Sequence, residues 1–276
     1  MSARSPQLAV SECNTMKILK TLAFGTALGA SLVTSAQANE TVGAVHGTFE
    51  NTDEFTFTDE QMAHIDGVLE ETYARVAEVF PEVADQVSVA VLAVNRPALD
   101  PLGGVAGRAD RPDELVVEIS QTYPDGIDGA IEDGMAPTFA HELHHTVRGW
   151  TMNGNHFGHG IQIAAVNEGL ATVFAEELLG EVNQSDLPPA DIEAWAEEVL
   201  ALPIDANYGE WMFLHPDGRV AIGYRTGRWV VRRAMERSGL DITELTRLTP
   251  ATIWQLAGFD WDRQLRRSAS IASTAH

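Results

Sequence analysis

The run His141-Glu142-Leu143-His144-His145 has the residue types and the spacing of an HExxH motif, in a segment predicted to be helical. Residues four apart on a helix lie one above the other, so His141 and His145 can hold one metal ion between them. Glu142 lies one step round the helix and can reach a water on that ion rather than the ion itself. Two imidazoles, an open coordination position and a carboxylate base are what a zinc hydrolase needs. The run therefore predicts a catalytic zinc site.

Glu168 is the predicted third ligand of that site, because catalytic zinc takes three protein ligands plus a water. It lies in the run 164–171 of a predicted helix, and its neighbours at helical spacing are apolar. A buried carboxylate without a partner is costly, and a metal ion is the partner that removes the cost. An ion pair with an arginine or a solvated helix edge is the alternative. We expect one Zn²⁺ per chain, held by His141, His145 and Glu168.

Three further histidines lie close to these residues in the sequence. Helix geometry points His144 away from the two ligand histidines, which favours a hydrogen bond in the core over metal binding. His156 and His159 belong to the glycine-rich segment 153–160, and we expect them to serve the loop or contact a substrate. An exchange of one of them with Glu168 as the third ligand stays open.

The elements that precede the motif are predicted to be one helix and a small sheet. A capping box in the run Thr58-Asp59-Glu60-Gln61 predicts a helix that continues to about Phe80. A β-branched run predicts a buried strand, and two further strands are joined by a turn at residues 111–113. The predicted strands are Val87–Val94, Gly103–Arg108 and Leu115–Ile119. The segment Asn39–Phe57 is expected to be a short strand or an ordered arm, and Gly104–Arg108 a sheet edge that could take up a substrate backbone.

The motif and everything after it are predicted to be mainly helical. Pro137 suits the first turn of the motif helix, and the helix that carries Glu168 is expected to end near Gly180. Glu176 and Glu177, two turns after Glu168, are predicted to lie on that helix's surface. Further helices are predicted over Ala190–Leu202, from Ala221–Tyr224 to Arg237, and near Ile242–Leu248. A small N-terminal sheet, an HExxH helix and a helical C-terminal half make an α+β fold.

The N-terminus has the pattern of a secretory signal peptide. A basic start at residues 16–20 precedes a short apolar stretch, Leu22–Val33, and the A-x-A cleavage site Ala36-Gln37-Ala38. That stretch is shorter than the roughly 20 apolar residues that cross a bilayer. We expect residues 1–38 to be a signal peptide, with 1–15 an upstream extension, and residues 39–276 to be one exported domain, periplasmic or secreted. A retained N-terminal anchor is the alternative.

Cysteine content and charge exclude several functions. The single cysteine, Cys13, precedes the predicted signal peptide, so the remaining chain has no disulfide, no thiolate zinc ligand and no cysteine nucleophile. Residues 1–38 contain Arg4, Lys17, Lys20 and Glu12, which leaves 15 basic and 39 acidic residues, a net charge of −24 and no lysine. Such a surface repels nucleic acid and anionic lipid. We expect no nucleic-acid partner and no stable membrane anchor after signal removal.

The combination of motifs resembles a bacterial family of predicted Zn-dependent proteases, a gluzincin-like domain of unknown function. The resemblance rests on the run from His141 to Arg148, on Glu168-Gly169-Leu170-Ala171, and on Ala221-Ile222-Gly223-Tyr224. These follow one another in the order of the family pattern HExHHxxR…EGLAE…IGY and cover roughly residues 60–255. The resemblance implies a gluzincin-like fold with His141, His145 and Glu168 as zinc ligands and Glu142 as the general base.

The chain departs from that family pattern at one position. The pattern has an acid four residues after the third ligand, where this chain has Thr172. In gluzincins an acid at that place holds a ligand histidine, so either another acid replaces it here or metal affinity is lower. The resemblance also implies an oxyanion donor distant in sequence. Tyr224 is the first candidate and His215 the second.

The predicted activity is hydrolysis of a peptide or protein substrate by a zinc metallopeptidase, with Glu142 as general base and Tyr224 as oxyanion donor. The alternative is a catalytically silent metal-binding or regulatory domain that keeps the motif for folding. Loss of the acid at Thr172 favours the silent domain. Retention of Glu142 favours the peptidase, because a structural zinc ion does not require it.

Overall fold

The structure is a computed structural model that describes residues 44–51 and 55–261. These residues all belong to the chain unit Val42–His276. The predicted signal peptide, its upstream extension and Cys13 lie outside the described residues. Within the described ranges no helix combines the length and the apolar character needed to cross a bilayer.

The N-terminal half contains a four-stranded mixed sheet. Its strands are β1 (Val45–Glu50), β2 (Val87–Val94), β3 (Val105–Arg111) and β4 (Glu114–Ser120). They lie in the order β1-β2-β4-β3, with β1, β2 and β4 parallel and β3 antiparallel to β4. The three predicted strands are confirmed with slightly different bounds, and β1 lies within the segment predicted as a strand or an arm. Strand β3 is at the sheet edge, as predicted.

Helix α1 (Asp59–Val79) has the predicted start. The Thr58 side chain accepts from the backbone N–H of Gln61, and the Gln61 side chain accepts from the N–H of Thr58. This capping box satisfies two donors that the helix end would otherwise leave unpaired. The helix buries Ile65, Leu69 and Val76, residues spaced along one face, in the core shared with the sheet.

The motif helix is the last part of a longer helical segment. Helix α2 (Gly126–Ala130) continues through a π-helical turn (Ile131–Met135) into α3 (Ala136–Arg148), with Pro137 in the first turn of α3. A two-stranded hairpin follows, β5 (Trp150–Thr151) and β6 (Gly154–Asn155). Helix α4 (Ile161–Leu179) carries Glu168 and ends at Gly180, as predicted.

Five helices complete the described chain after a 3-10 turn at Gln184–Asp186. They are α5 (Ile192–Leu200), α6 (Tyr208–Met212), α7 (Ile222–Ser238), α8 (Ile242–Thr246) and α9 (Pro250–Leu256). The sequence prediction located α5, α7 and α8 and missed α6 and α9. The architecture is therefore α+β, with a small mixed sheet and a helical C-terminal half that share one hydrophobic core.

Candidate metal centre

His141 and His145 lie one turn apart on α3, and both imidazoles face α4. Their ring centroids are 4.7 Å apart and the rings are nearly perpendicular. The helix ends at Gly149, whose φ of 78° is left-handed and whose N–H bonds the carbonyl of His145. A Cβ at Gly149 would overlap the His156 ring, so only glycine fits this turn.

Glu168 on α4 completes the group. Its Oε2 lies 3.0 Å from Nε2 of His141 and 3.2 Å from Nε2 of His145. The ligand atoms of the three residues lie within 4.8 Å of one another, and the Glu168 residue is only 6% exposed. Two imidazole nitrogens and one carboxylate oxygen are a zinc donor set, and this group could hold one metal ion.

Electrostatics at this group favour a bound cation. Burial alone would raise the pKa of Glu168, but the two imidazoles beside it hold the pKa well below its usual range. Burial alone would lower the pKa of His141, but its hydrogen bond to Glu168 and the charges of Glu142, Glu168 and Asp186 raise it. Both shifts arise because the carboxylate and the imidazoles stabilise each other's charged forms, and a divalent cation at the same atoms would take the place of the imidazole protons.

Glu142 is buried between the ligand histidines and the edge strand. Burial raises the pKa of its carboxyl, while His145, His141 and a hydrogen bond from the backbone N–H of Ala109 act in the opposite direction. Gly107 of the same strand also lies against this side chain, and a Cβ at Gly107 would overlap Cγ of Glu142 and lie 2.9 Å from Oε1. A carboxyl with a raised pKa, held at a fixed place beside the candidate metal ligands, suits a group that takes and returns a proton.

His144 faces the core, as predicted, and not the metal ligands. Its Nε2 lies 2.9 Å from Oγ1 of Thr246, which itself donates to the carbonyl of Ile242 at 2.7 Å. Nε2 of His144 must therefore carry the proton and donate it to Thr246. Burial lowers the pKa of His144 well below its usual value, which keeps the ring neutral.

Arg148 connects α3 to α4 and α8. Its Nε donates to Oδ1 of Asn167 at 2.7 Å, its Nη1 bonds the carbonyl of Thr246, and its guanidinium lies 4.4 Å over the Phe157 ring. Arg148 is buried, and its guanidinium is paired with an amide and not with an acid. This contact fixes α3 against α4 immediately beside Glu168.

Helices α4 and α7 cross with their backbones in contact. A Cβ at Gly169 would overlap the carbonyl carbon of Gly227, and one at Gly227 would overlap the carbonyl oxygen of Ala165. Glu168 precedes one of these glycines and Tyr224 lies one turn before the other. The glycine pair therefore places the tyrosine of α7 close to the carboxylate of α4.

Tyr224 and Tyr208 both border the centre. Burial of the hydroxyl raises the pKa of each phenol, although Tyr208 as a whole residue is 42% exposed, and the charges of Glu168 and Glu142 raise both further. The second candidate oxyanion donor, His215, has other partners: its Nδ1 lies 2.9 Å from Oδ1 of Asp217 and its ring packs on Trp211. Tyr208 was missed in the sequence, because α6 is too short to give a periodic signal.

Thr172 occupies the place where the family pattern has an acid. Thr172 is half-buried one turn beyond Glu168, and Nδ1 of His145 is buried without a hydrogen-bond partner among residues 44–51 and 55–261. Asp186, in the 3-10 turn after α4, raises the pKa of His141 through its charge. It is an acid near the candidate ligands that no local sequence pattern indicates.

Glu176 is buried, so its predicted surface position is wrong. Its carboxylate accepts from Nε of Arg228 at 2.6 Å and from Nη2 of Arg232 at 2.7 Å. Glu177 next to it is exposed and paired with Arg232, as the prediction had it. The ion pair with an arginine, which was the alternative for Glu168, is therefore formed by Glu176 about two helical turns later. Glu168 instead contacts the two histidines.

The two loop histidines are exposed and lie around the β5–β6 hairpin. His156 packs its ring on Gly149, and His159 follows it just before α4. Within the described ranges the group with metal-ligand geometry consists of His141, His145 and Glu168. The geometry thus favours Glu168 over a loop histidine as the third ligand.

Comparison with protein families shows which family this chain resembles. A family model described as "Predicted Zn-dependent protease (DUF2268)" matches residues 65–255. No curated protein and no solved structure matches the chain. The matched segment contains the motif helix, Glu168 and Tyr224, and it extends to α9.

Proposed function

Because the chain belongs to the family of predicted Zn-dependent proteases, we propose that it is a zinc metallopeptidase that hydrolyses peptide bonds with Glu142 as general base. One observation carries the proposal: Oε2 of Glu168 lies 3.0 and 3.2 Å from the Nε2 atoms of His141 and His145. The buried carboxyl of Glu142 lies directly beside them. A carboxylate base that is not itself a ligand is expected in a hydrolase and not in a structural zinc site.

His141, His145 and Glu168 are proposed to hold one Zn²⁺. Zinc bound by three protein ligands supplies Lewis acidity and lowers the pKa of water to about 7. The sequence of elements supports a gluzincin-like arrangement: a small sheet with an antiparallel edge strand, then the HExxH helix, then a helix that contributes a glutamate. A metal-bound imidazole normally donates its other N–H to a second group, and in the described residues Nδ1 of His145 lacks such a partner, in keeping with Thr172 at the place of the family acid.

Glu142 and Tyr224 are proposed to do the proton transfer and the charge stabilisation. Glu142 takes the proton of the attacking water and later passes it to the leaving amine, so the peptide and water become a carboxylic acid and an amine. The Tyr224 hydroxyl, raised in pKa and therefore neutral, donates a hydrogen bond to the carbonyl oxygen as negative charge develops. Tyr208 is the second hydroxyl in reach of the same carboxylates.

The substrate backbone is proposed to bind along β3. Ala109 already uses the open side of this strand, with its carbonyl bonded to Met152 and its N–H to Glu142. Gly107, two residues earlier, presents its backbone to the same side in the alternating pattern of an antiparallel strand. An extended peptide could add to this edge and pass Glu142 at close distance.

The catalytically silent metal-binding domain remains the second candidate, and Thr172 is the observation in its favour. The decisive comparison is wild type against Glu142→Gln, each purified with zinc and incubated with a peptide library read by mass spectrometry. We expect both proteins to hold about one zinc per chain and Glu142→Gln to lose turnover by orders of magnitude. Equal cleavage by the two proteins would refute the mechanism. A zinc-loaded wild type that cleaves nothing would favour the silent domain.

Export is part of the proposal. The signal pattern at residues 16–38 and the net charge of −24 over the rest of the chain support a periplasmic or secreted protein without nucleic-acid partners. N-terminal sequencing of the protein recovered from the periplasm or medium tests it. Mature protein that begins near Asn39 is expected, and full-length protein retained in the membrane would contradict it.

A further inference from the structure

Exposed apolar side chains concentrate in one short segment. Nine large hydrophobic residues are exposed in the described ranges, and five of them lie within residues 204–220. These five are Ile204, Tyr208, Phe213, Leu214 and Val220. Scattered exposed hydrophobic residues are ordinary on a protein surface, but a cluster on an otherwise acidic chain indicates a binding surface.

Three aromatic rings of this region form a continuous row that ends at the metal centre. The rings of Tyr208 and Phe213 are 5.9 Å apart, and those of Phe213 and Tyr224 are 6.3 Å apart. Tyr224 lies beside the crossing of α4 and α7 that carries Glu168. We call Tyr208, Phe213 and Tyr224 the aromatic shelf. Its middle ring, Phe213, is 58% exposed.

The backbone holds Phe213 in this exposed position. Its carbonyl accepts from the N–H of Ala221 at 2.8 Å, and Leu214 pairs with Val220 in a β-bridge. Ala221 has a left-handed φ of 52°, which is unfavourable for a residue with a Cβ. A strained turn that presents a large apolar ring to solvent next to a candidate active site is typical of a functional surface.

Resting on the proposed peptidase activity, we propose that the aromatic shelf binds a large apolar side chain of the peptide substrate, next to the bond that is cleaved. A peptide is the chosen occupant because the row of rings runs directly to the residues that would act on the peptide bond. The charges of Glu142, Glu168 and Asp186 around the same site disfavour an acidic side chain there. The enzyme is therefore a peptidase for apolar sequences, with Phe213 as a specificity-determining residue.

The test compares two peptides that differ only in one residue beside the cleaved bond, phenylalanine in one and serine in the other. Wild type is expected to give the higher kcat/KM with the phenylalanine peptide. In Phe213→Ser the ratio of the two kcat/KM values should fall about 10-fold or more, and in Phe213→Leu it should fall less. Leu102→Ser, which replaces a leucine of 46% exposure outside this segment, is the control and should keep the wild-type ratio.

A binding experiment makes the result independent of turnover. Fluorescent versions of both peptides are titrated into zinc-loaded Glu142→Gln, with and without Phe213→Ser. The phenylalanine peptide is expected to bind more tightly. Phe213→Ser should reduce the ratio of the serine-peptide Kd to the phenylalanine-peptide Kd about 10-fold. Zinc content and melting temperature should match between the two proteins, since Phe213 is mainly exposed.

Several outcomes would contradict the proposal that the aromatic shelf binds an apolar side chain. An unchanged ratio of kcat/KM or of Kd in Phe213→Ser would do so, as would a wild type that prefers serine or acidic residues. If Phe213→Ser changed the oligomeric state but left the ratio of kcat/KM or Kd values unchanged, Phe213 would be assigned to contact with a second copy of the chain. Hydrolysis absent in wild type would refute only the proposed activity, because the ratio of Kd values still decides whether the shelf selects apolar side chains.

Discussion

Gly107 on the edge strand β3 lies against the side chain of Glu142 on the motif helix, and the space between them is too small for a methyl group. A Cβ at Gly107 would overlap Cγ of Glu142 and lie 2.9 Å from its Oε1. The strand thus fixes the position of the proposed base, which is already bonded to the neighbouring Ala109. The proposed substrate edge and the proposed base are in direct contact.

Gly107→Ala is therefore expected to displace Glu142 without disturbing the zinc ligands. A base moved by about 1 Å costs on the order of 100-fold in kcat, while zinc content should stay that of wild type. Gly67→Ala on α1, where a Cβ meets nothing within 4 Å, is the matched control. Wild-type kcat in Gly107→Ala would show that Glu142 does not need this position.

Glu168→Ala should lose zinc that wild type retains under mild chelation, because the metal would keep only two protein ligands. Glu177→Ala is the control on the same helix, since Glu177 is exposed and paired with Arg232. Zinc per chain is measured by atomic emission after dialysis against a weak chelator. Equal zinc in the two variants would move the third ligand to another residue.

Tyr224→Phe should lower kcat on the order of 100-fold with KM nearly unchanged, because an oxyanion donor acts in the transition state. Tyr208→Phe, the other phenol beside Glu168, is expected to lower kcat much less. Steady-state kinetics on one peptide decide between them. A larger loss in Tyr208→Phe would transfer the role to Tyr208, and a loss only in His215→Ala would restore the histidine candidate.

Glu176→Ala should destabilise the fold by about 3 kcal/mol or more, because it leaves the buried guanidinium of Arg228 without its carboxylate. Glu177→Ala removes an exposed carboxylate and should cost less than about 1 kcal/mol. Urea unfolding followed by far-ultraviolet circular dichroism measures both. Similar midpoints for the two variants would mean that the buried pair contributes little.

The parts of the fold and site that the sequence predicts are those encoded by local spacing. The Thr58 capping box, the HExxH turn on α3 and the apolar surroundings of Glu168 each lie within a few residues, and the structure has all three. His144 facing the core follows from the same helix geometry. Local patterns suffice here because a helix fixes the relative directions of its own side chains.

The parts that the sequence does not predict depend on which elements face each other. A glutamate such as Glu176 is predicted to be exposed from its local sequence, because its partner Arg228 lies 52 residues later on α7. Tyr208 belongs to a helix of five residues, too short for periodicity to reveal it. The position of Asp186, whose charge acts on His141, also depends on how a loop returns to the site. Such pairings are set by tertiary packing.

The contact of Gly169 with Gly227 limits which substitutions this site can accept. With no side chain between α4 and α7, their separation cannot be adjusted by exchanging a larger residue for a smaller one. The candidate ligand of α4 and the tyrosine of α7 are thus held in one fixed relative geometry. Changes in what the protein recognises must then arise in segments such as residues 204–221, where insertions and substitutions leave the helix crossing intact.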